Sequence, residues 1–226
     1  KASFTAMKRF LWRLWRTVKI LKKKPAAIRT QGIMRTALKV AARESFPVTG
    51  RLDYKDHSIL MRVDSSLQLY RLNACKKEPH TVNWIEATKG AGKVFYDIGA
   101  NVGAFSFVAA LNGFQVYAFE PSFSTFAALA GNVLENGCGR EIIPFGVALG
   151  SKTEVSDFSY RSLLPGEVCH KFGESKRGLT QRILSYRLDD FIEQFRIPYP
   201  HRIKIDVDGY EYELLKGMPK TLKRPE

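Results

Sequence analysis

The sequence has 226 residues, of which 45% are hydrophobic and 26% are charged, and these proportions are typical of a globular protein with a packed core. They exclude collagen-like, low-complexity and wholly disordered chains. The length suits one α/β domain with a short appendage. No apolar stretch reaches the roughly eighteen residues needed to cross a bilayer, so we expect no transmembrane helix. The odd number of cysteines, three without a C-x-x-C pair, disfavours a disulfide framework and predicts a cytoplasmic protein.

The net charge of +14 is concentrated at the N-terminus. Residues 1–44 contain 13 lysines and arginines and a single acid, Glu44, whereas residues 45–226 contain 23 basic and 21 acidic residues. Because most of the chain is nearly neutral, the charge pattern argues against a nucleic-acid-binding surface over the whole protein. We therefore divide the chain into a basic amphipathic helical segment, residues 1–50, and an α/β domain, residues 51–226.

The N-terminal segment predicts a basic amphipathic helix over residues 7–24, followed by a weaker helix from Pro25 to Glu44. Tryptophans beside arginines are typical of helices that lie among the head groups of an anionic membrane, where each cation gains about 1 kcal/mol. Two roles are open: docking at the inner face of the membrane, or packing on the domain or on a second copy of the chain. The apolar stripe contains Met7, Phe10, Leu11, Leu14, Trp15, Val18 and Leu21, and the opposite face contains Arg9, Arg13, Arg16 and Lys23.

The rest of the chain predicts a β-hairpin and then an alternation of strands and helices. The hairpin is formed by Ser58–Val63 and Leu67–Leu72 around a polar turn, and a helix capped by Thr81 follows as far as Lys89. The alternation is typical of a parallel sheet with right-handed crossovers. Its predicted strands are Val94–Ile98, Gln115–Phe119, Glu141–Val147 and Arg202–Val207, and its predicted helices are Gly103–Leu111, Ser124–Asn136, Leu188–Phe195 and Tyr210–Lys216. Residues 151–186 interrupt it with two antiparallel strands, Thr153–Tyr160 and Gln181–Tyr186.

The first strand of the alternation ends in a glycine turn that opens a helix. Gly99 permits a positive φ or a close approach of a ligand, and Gly103 permits close packing at the helix start. The spacing lacks the central glycine of the pyrophosphate-binding G-x-G-x-x-G pattern. This argues against a dinucleotide, so an NAD-binding Rossmann protein is kept only as the second interpretation. The carboxylate of Asp97 favours a cationic ligand such as S-adenosylmethionine, which has no phosphate. Glu120 ends the next strand, at a distance along the chain that suits hydrogen bonds to both hydroxyls of a ribose.

Five segments of the chain follow one another in a specific order: YDIGANVGAFSFVAA, VYAFEPSFSTFAALAGNV, FGVALG, SYRLDDFI and IKIDVDGYEYELLKG. Together they resemble the successive motifs of the FkbM family of S-adenosylmethionine-dependent methyltransferases, over roughly residues 76–219. The resemblance implies a Rossmann-like class I methyltransferase fold and O-methylation of a hydroxyl on a sugar, a glycolipid or a natural product. It also implies further strands after Glu226, so we expect a domain that is truncated at its C-terminus relative to the family.

The same resemblance implies a set of cofactor-binding residues. Glu120 would bind the ribose hydroxyls, and the glycine turn would surround the methionine and ribose parts of S-adenosylmethionine. The adenine would lie beside Pro121 and Ser122. Val147 and Ala148 match adenine-flanking positions of the family, although a role as ordinary core residues is equally open. The implied residues of the turn are Asp97, Gly99, Asn101 and Gly103.

Acidic residues at the end of the fourth strand are the predicted catalytic groups. Alternation along an extended strand would place Asp206 and Asp208 on one side, where their repulsion would raise the pKa of one of them and prepare it as a base. We expect Asp206 nearest the transferred methyl group, with Asp208 or Glu211 orienting the acceptor. A structural role is also open for Glu211, because an acid in the first turn of a helix is stabilising. Such acids could hold Mg²⁺, but nothing in the sequence fixes its full ligand set, so no metal is assigned. His170 and Lys171 are further candidates for the acceptor pocket.

Three hypotheses from different classes remain open. The first is an O-methyltransferase for a small-molecule or glycan acceptor, held at a membrane surface by its N-terminal helix. The second is a nucleic-acid methyltransferase whose basic arm contacts phosphates. Against it, the fourth strand ends in Asp-Val-Asp-Gly and not in the Asn/Asp-Pro-Pro-aromatic run associated with methylation of base amines. The third is a non-catalytic protein that binds the cofactor without turnover.

Overall fold

The structure is a computed structural model that describes residues 2–22, 31–167, 171–172 and 179–224. It divides into two compact units, residues 1–48 and residues 49–226. Within the described residues, no helix is both long and apolar enough to cross a membrane.

The first unit consists of two helices, α1 (Ala2–Lys22) and α2 (Gln31–Ser45), which pack on each other. The rings of Phe10 and Phe46 lie 6.0 Å apart, and Arg13 forms an ion pair with Glu44 at 3.7 Å. Helices are therefore present in both predicted segments, although residues 23–24 of the first prediction and residues 25–30 of the second lie outside the described residues. Arg13 was predicted on the face opposite the apolar stripe, but it contacts α2 on the same side of α1 as Phe10, a residue of that stripe.

The second unit begins with two short strands and three short helices and continues as an α/β domain. In chain order its elements are β1 (Thr49–Arg51), β2 (Leu60–Arg62), α3 (Ser66–Arg71), α4 (Ala74–Lys77), α5 (Pro79–Ala87), β3 (Val94–Ile98), α6 (Ala104–Leu111), β4 (Gln115–Phe119), α7 (Phe123–Glu135), β5 (Ile142–Phe145), β6 (Ala148–Leu149), β7 (Glu154–Tyr160), β8 (Lys171–Phe172), β9 (Leu179–Tyr186), α8 (Leu188–Phe195), β10 (Arg202–Ile205), α9 (Glu211–Lys216) and α10 (Pro219–Leu222).

Four of these strands form a parallel sheet in the order β10-β3-β4-β5. This confirms the predicted α/β class and the mostly parallel sheet, with the fourth strand of the alternation at an edge. Every residue of β3 is buried, as expected for a central parallel strand that is covered on both faces. Phe95 packs with α5 and α6 on one face, and Tyr96 and Ile98 pack with α8 and α9 on the other.

The interruption of the alternation forms a second sheet, in the order β6-β9-β7-β8. Strands β7 and β9 are antiparallel, which confirms the predicted pair. Strand β6 pairs with β9 in parallel. The candidate residue His170 lies outside the described residues, and only the backbone of Lys171 is described.

The predicted hairpin before the domain is wrong. Strand β2 pairs with β1, and the segment that follows is helix α3. Ser65 caps this helix: its Oγ accepts the N–H of Gln68 at 3.2 Å, and the Gln68 side chain accepts the N–H of Ser65 at 3.0 Å. This capping box is a helix-start signal, and the alternation of leucines in the same segment masked it. The next long helix, α5, begins at Pro79 and not at the predicted Thr81 cap.

Candidate active site

A cavity of about 310 Å³ opens at the carboxyl ends of β3, β4 and β10, the edge at which open α/β sheets bind ligands. One part of its wall is apolar and the other carries charged and amide groups. The apolar wall includes Ile98, Phe119, Val147, Ala148, Leu149 and Phe158, and the polar wall includes Arg71, Asn101, Glu120, Glu167, Asp206 and Asp208.

Glu120 lies at the end of β4, in the wall of the cavity, with 6% of its surface exposed. Its Oε2 accepts the N–H of Asn101 at 3.0 Å, and its Oε1 accepts the N–H of Ser122 at 2.9 Å. Burial raises the pKa of Glu120 to about 7, although these two hydrogen bonds act to lower it. Because each carboxylate oxygen has a second lone pair, Glu120 retains the capacity to accept hydrogen bonds from both hydroxyls of a ribose.

The glycine turn after β3 has the left-handed backbone that its glycines allow. Gly99 has φ +77°, and a Cβ there would lie 1.9 Å from the carbonyl oxygen of Asp206. Gly103 has φ +95°, and a Cβ there would lie 2.6 Å from Leu129 in α7. The close packing expected at Gly103 is confirmed, and this residue does not line the cavity. At Gly99 the close approach is made by the backbone after β10, which brings the ends of the two strands together beneath the cavity.

Asp97 does not line the cavity, so the expectation that its carboxylate meets the cofactor is corrected. Strand alternation turns the side chain towards α6, where it is fully buried. Its Oδ2 accepts the hydroxyl of Ser106 at 2.7 Å, and its Oδ1 lies 3.5 Å from the Nζ of Lys204. Asp97 is therefore part of a buried ion pair that supports the glycine turn from below.

Lys204 links this buried carboxylate to the cavity, and the sequence analysis missed it. The side chain is 9% exposed, and its Nζ lies 3.4 Å from Oδ2 of Asp206, which lines the cavity. Burial acts to lower the pKa of Lys204, but the carboxylates of Asp97 and Asp206 outweigh it and the pKa is raised. A lysine between two isoleucines in a predicted strand of the parallel sheet was the available signal, since a buried cation requires an acidic partner.

The three predicted catalytic acids take different positions. Strand β10 ends at Ile205 and Asp208 has φ +53°, so the prediction that Asp206 and Asp208 share one side of an extended strand is wrong. Both still line the cavity, and 57% of the Asp206 side chain is exposed. Glu211 lies outside the lining. Its Oε1 accepts the N–H groups of Gly209 at 3.2 Å and Val207 at 3.4 Å, so it fixes the loop that carries Asp208.

Of the predicted cofactor-binding residues, some line the cavity and others do not. Ser122 is fully buried beneath the cavity, where its hydroxyl donates to Thr125 at 3.2 Å, and its expected place beside the adenine is corrected. The predicted cofactor residues that do line the cavity are Gly99, Asn101, Glu120, Pro121, Val147 and Ala148.

The charge of the lining suits a cationic ligand. In the described part of the chain, the lining contains four acids, Glu120, Glu167, Asp206 and Asp208, and one cation, Arg71. A sulfonium and an ammonium are favoured by such a surface, whereas a diphosphate would be repelled. The residues present therefore fit S-adenosylmethionine better than NAD, although Asp97 is not among them.

Comparisons with known proteins agree with this chemistry. The family model described as "Methyltransferase FkbM domain" matches residues 97–226. The chain is 27% identical over 162 residues to the hexuronic acid methyltransferase AglP of Haloferax volcanii, and the match covers 71% of this chain and 64% of that protein. The chain thus spans less than two thirds of this relative's length.

Among solved structures, the chain resembles a SAM-dependent methyltransferase from Agrobacterium tumefaciens, with a TM-score of 0.35 and 16% identity. That match covers 43% of this chain and 32% of the other. The family model covers more than half of the present sequence, including the glycine turn, Glu120 and the loop after β10. The chain therefore belongs to the FkbM family of methyltransferases.

Proposed function

We propose that the protein transfers a methyl group from S-adenosylmethionine to a hydroxyl of a sugar. The observation that carries the proposal is the acid-lined cavity at the carboxyl edge of the sheet, with Glu120 in its wall. Membership of a methyltransferase family supports the reaction type. When bound, S-adenosylmethionine supplies an electrophilic methyl group on a positively charged sulfur.

Each part of the cavity has a role in holding that cofactor. Glu120 is the acceptor for the ribose hydroxyls, and its two backbone hydrogen bonds keep the carboxylate in place. The apolar wall at Val147 and Ala148 suits the adenine ring. The acids after β10 also line the cavity and suit the cationic part of the molecule.

Asp206 and Asp208 are the groups available to remove the proton of the acceptor hydroxyl. Both line the cavity, and both are exposed enough to meet an acceptor that enters from solvent. Removal of a proton as the new bond forms contributes about 10²–10⁴-fold to such reactions, and alignment of the nucleophile with the methyl group contributes the rest. Glu211 positions the loop through its backbone hydrogen bonds.

A sugar is the acceptor class that the comparisons support best. The curated relative is named a hexuronic acid methyltransferase, and we extend its acceptor class, a sugar acid, to this chain. A nucleic-acid acceptor has weaker support, because the excess of positive charge is concentrated in residues 1–44 and the rest of the chain is nearly neutral.

A methyl-transfer assay tests the proposal. The full chain is incubated with S-adenosylmethionine labelled in its methyl group and with glycosides of glucuronic acid, glycosides of glucose, or RNA. We expect labelled methyl ether on a sugar, a large loss of product for the double variant Asp206→Asn/Asp208→Asn, and no loss for Asp56→Asn, an exposed acid outside the cavity. Label in RNA alone would contradict the proposal, and so would cofactor binding without transfer to any sugar.

We also propose that α1 is an amphipathic helix that docks on an anionic membrane surface, at the inner face of the membrane. Leu11, Trp12 and Trp15 are each more than half exposed, although they are large and apolar. Arg16 lies 5.5 Å from the ring of Trp12, and Lys19 lies 4.7 Å from the ring of Trp15. Tryptophan beside a cation suits the boundary between head groups and acyl chains.

Co-sedimentation with vesicles tests this docking. The full chain should sediment with vesicles that contain phosphatidylserine and should not sediment with phosphatidylcholine vesicles. The variant Trp12→Ala/Trp15→Ala should lose most of the binding, and Leu134→Ala, which removes an exposed apolar side chain of α7, should keep it. Equal sedimentation of both variants would refute the proposal. A concentration-dependent dimer that forms without vesicles and is lost in the tryptophan variant would also refute it.

A further inference from the structure

Arg71, at the end of α3, lies at the junction of two cavities. A second, smaller cavity adjoins the one described above and is bordered on its far side by Tyr70, Lys77 and Lys204. The two cavities share Arg71, Gly99, Asn101 and Asp206. A ligand group at this junction would meet the glycine turn, the acid after β10 and the guanidinium of Arg71 together.

The guanidinium of Arg71 is held by a backbone carbonyl. Its Nε and Nη2 donate to the carbonyl oxygen of Gly166 at 3.4 Å and 3.1 Å. In the part of the chain that the structure describes, no carboxylate lies within ion-pair distance of Arg71, and its Nη1 has no hydrogen-bond partner. A partly buried cation without a counterion is unfavourable unless a ligand provides one.

The anchor of Arg71 is itself fixed to the domain. The N–H of Gly166 donates to the Thr125 hydroxyl at 3.2 Å, and the hydroxyl of Ser65 donates to the carbonyl of Pro165 at 2.7 Å. The loop at residues 165–167 is thereby tied to α7 and to the start of α3, the helix that carries Arg71. A guanidinium held in this way loses little conformational freedom when it binds a ligand.

The buried cation that borders the smaller cavity already has carboxylate partners. Lys204 borders the smaller cavity, but its ammonium lies between the carboxylates of Asp97 and Asp206 at 3.5 Å and 3.4 Å. Arg71 is therefore the described cation whose charge remains for a ligand at the point where the cavities meet. Its planar fork of N–H donors matches the geometry of a carboxylate better than that of a neutral hydroxyl.

We propose that Arg71 binds a carboxylate in the active site, supplied either by an acidic sugar acceptor or by the methionine part of S-adenosylmethionine. The inference rests on the proposed function and adds a specificity-determining residue to it. Arg71 precedes residues 97–226, which the family model matches, so the match assigns it no role. Lys77, on the rim of the smaller cavity, would add a second, exposed charge to an acceptor site.

Calorimetric titration of the full chain with two cofactor compounds tests the first source of the carboxylate. S-adenosylmethionine and its decarboxylated form share the adenosyl, sulfonium and amine groups and differ in the carboxylate. If Arg71 binds the cofactor, Arg71→Gln lowers the affinity for S-adenosylmethionine about tenfold or more and leaves that for the decarboxylated compound unchanged.

Titration with two sugars tests the second source. Protein saturated with S-adenosylhomocysteine is titrated with a methyl glucuronide and with the matching methyl glucoside. If Arg71 binds the acceptor, Arg71→Gln lowers the affinity for the glucuronide about tenfold or more and leaves the glucoside and the cofactor unchanged.

Two further variants decide between a binding and a structural role. Arg51→Gln removes an exposed arginine outside both cavities and should change none of these affinities. Arg71→Lys keeps the charge without the planar fork, so it should cause a smaller loss of affinity that is still selective for the carboxylate ligand. This variant also serves as the test if Arg71→Gln does not fold. Equal losses for both members of each ligand pair, or no loss for either pair, would overturn the proposal for Arg71 alone. Failure of the unaltered chain to bind S-adenosylmethionine would instead contradict the proposed function.

Discussion

Replacement of Lys204 by methionine tests the buried ion pair that joins β3 to β10. The change keeps an unbranched side chain of similar length and removes the ammonium. Asp97, which has no exposed surface, then keeps Ser106 as its one remaining described partner. A buried carboxylate that loses its counterion typically costs about 3–5 kcal/mol of stability. The second contact, to Asp206, is partly in solvent and contributes less than about 1 kcal/mol. Most of the loss therefore arises at Asp97.

Urea unfolding followed by far-ultraviolet circular dichroism measures this loss. Lys216→Met is the matched control, because Lys216 pairs with Glu213 at 2.6 Å on the surface, where loss of an ion pair should cost much less stability than in the core. The double variant Lys204→Met/Asp97→Asn should recover much of the stability, since the amide is neutral and its oxygen still accepts the Ser106 hydroxyl. A loss for Lys204→Met no larger than that of the control would refute the reasoning, as would a double variant that is less stable than Lys204→Met.

Three other predictions concern single side chains. Asp206→Asn should lower kcat about 100-fold or more at saturating S-adenosylmethionine, and an unchanged kcat in a steady-state assay would exclude Asp206 as the base. The pKa of Glu120 is about 7 in the folded chain against 4.5 for a free glutamate, so its contribution to stability is present below pH 4.5 and is lost as the pH rises through 7. The loss is roughly 3 kcal/mol, and the difference in unfolding free energy between pH 4.5 and pH 8 should shrink by that amount in Glu120→Gln. Burial raises the pKa of Cys75 to about 12, so iodoacetamide at pH 8 should label Cys75 only after unfolding, as mass spectrometry of its peptide would show; rapid labelling of the native chain would contradict this.

The sequence predicts the central sheet well because buried parallel strands have a simple pattern. Strands β3 and β4 begin and end at the predicted residues, since each is a mostly apolar run that is followed by glycine or a charged residue. The glycine turn was predictable for a related reason. Positive φ at Gly99 and Gly103, and the contacts a Cβ would make there, require glycine at both positions.

Side-chain direction was harder to predict than strand position. In a strand that is buried on both faces, the sequence does not reveal which side chains point towards the ligand. Asp97 was therefore expected in the cavity, whereas its side chain contacts Ser106 in α6. The loop after β10 was misread for a similar reason. The positive φ of Asp208 ends the extended geometry on which the pairing of the two aspartates depended, and a non-glycine residue gives no clear signal of such a turn.

Long-range contacts account for the part of the site that the sequence did not reveal. Arg71 was assigned to a strand because the leucines before it alternate, although the Ser65 and Gln68 capping box predicts a helix. Even with the helix correctly assigned, its partner Gly166 lies 95 residues further along the chain. No local pattern predicts that contact, so the junction of the two cavities emerges only from the folded structure.

Parallel calorimetric titration of the full chain with S-adenosylmethionine and with NAD tests the central claim most directly. An acid-lined cavity without a diphosphate cradle should bind S-adenosylmethionine and show no binding of NAD. The variant Glu120→Gln should weaken S-adenosylmethionine binding about tenfold or more, because the ribose loses a charged hydrogen-bond acceptor. Binding of NAD without binding of S-adenosylmethionine would contradict the account, and so would an unchanged affinity in Glu120→Gln.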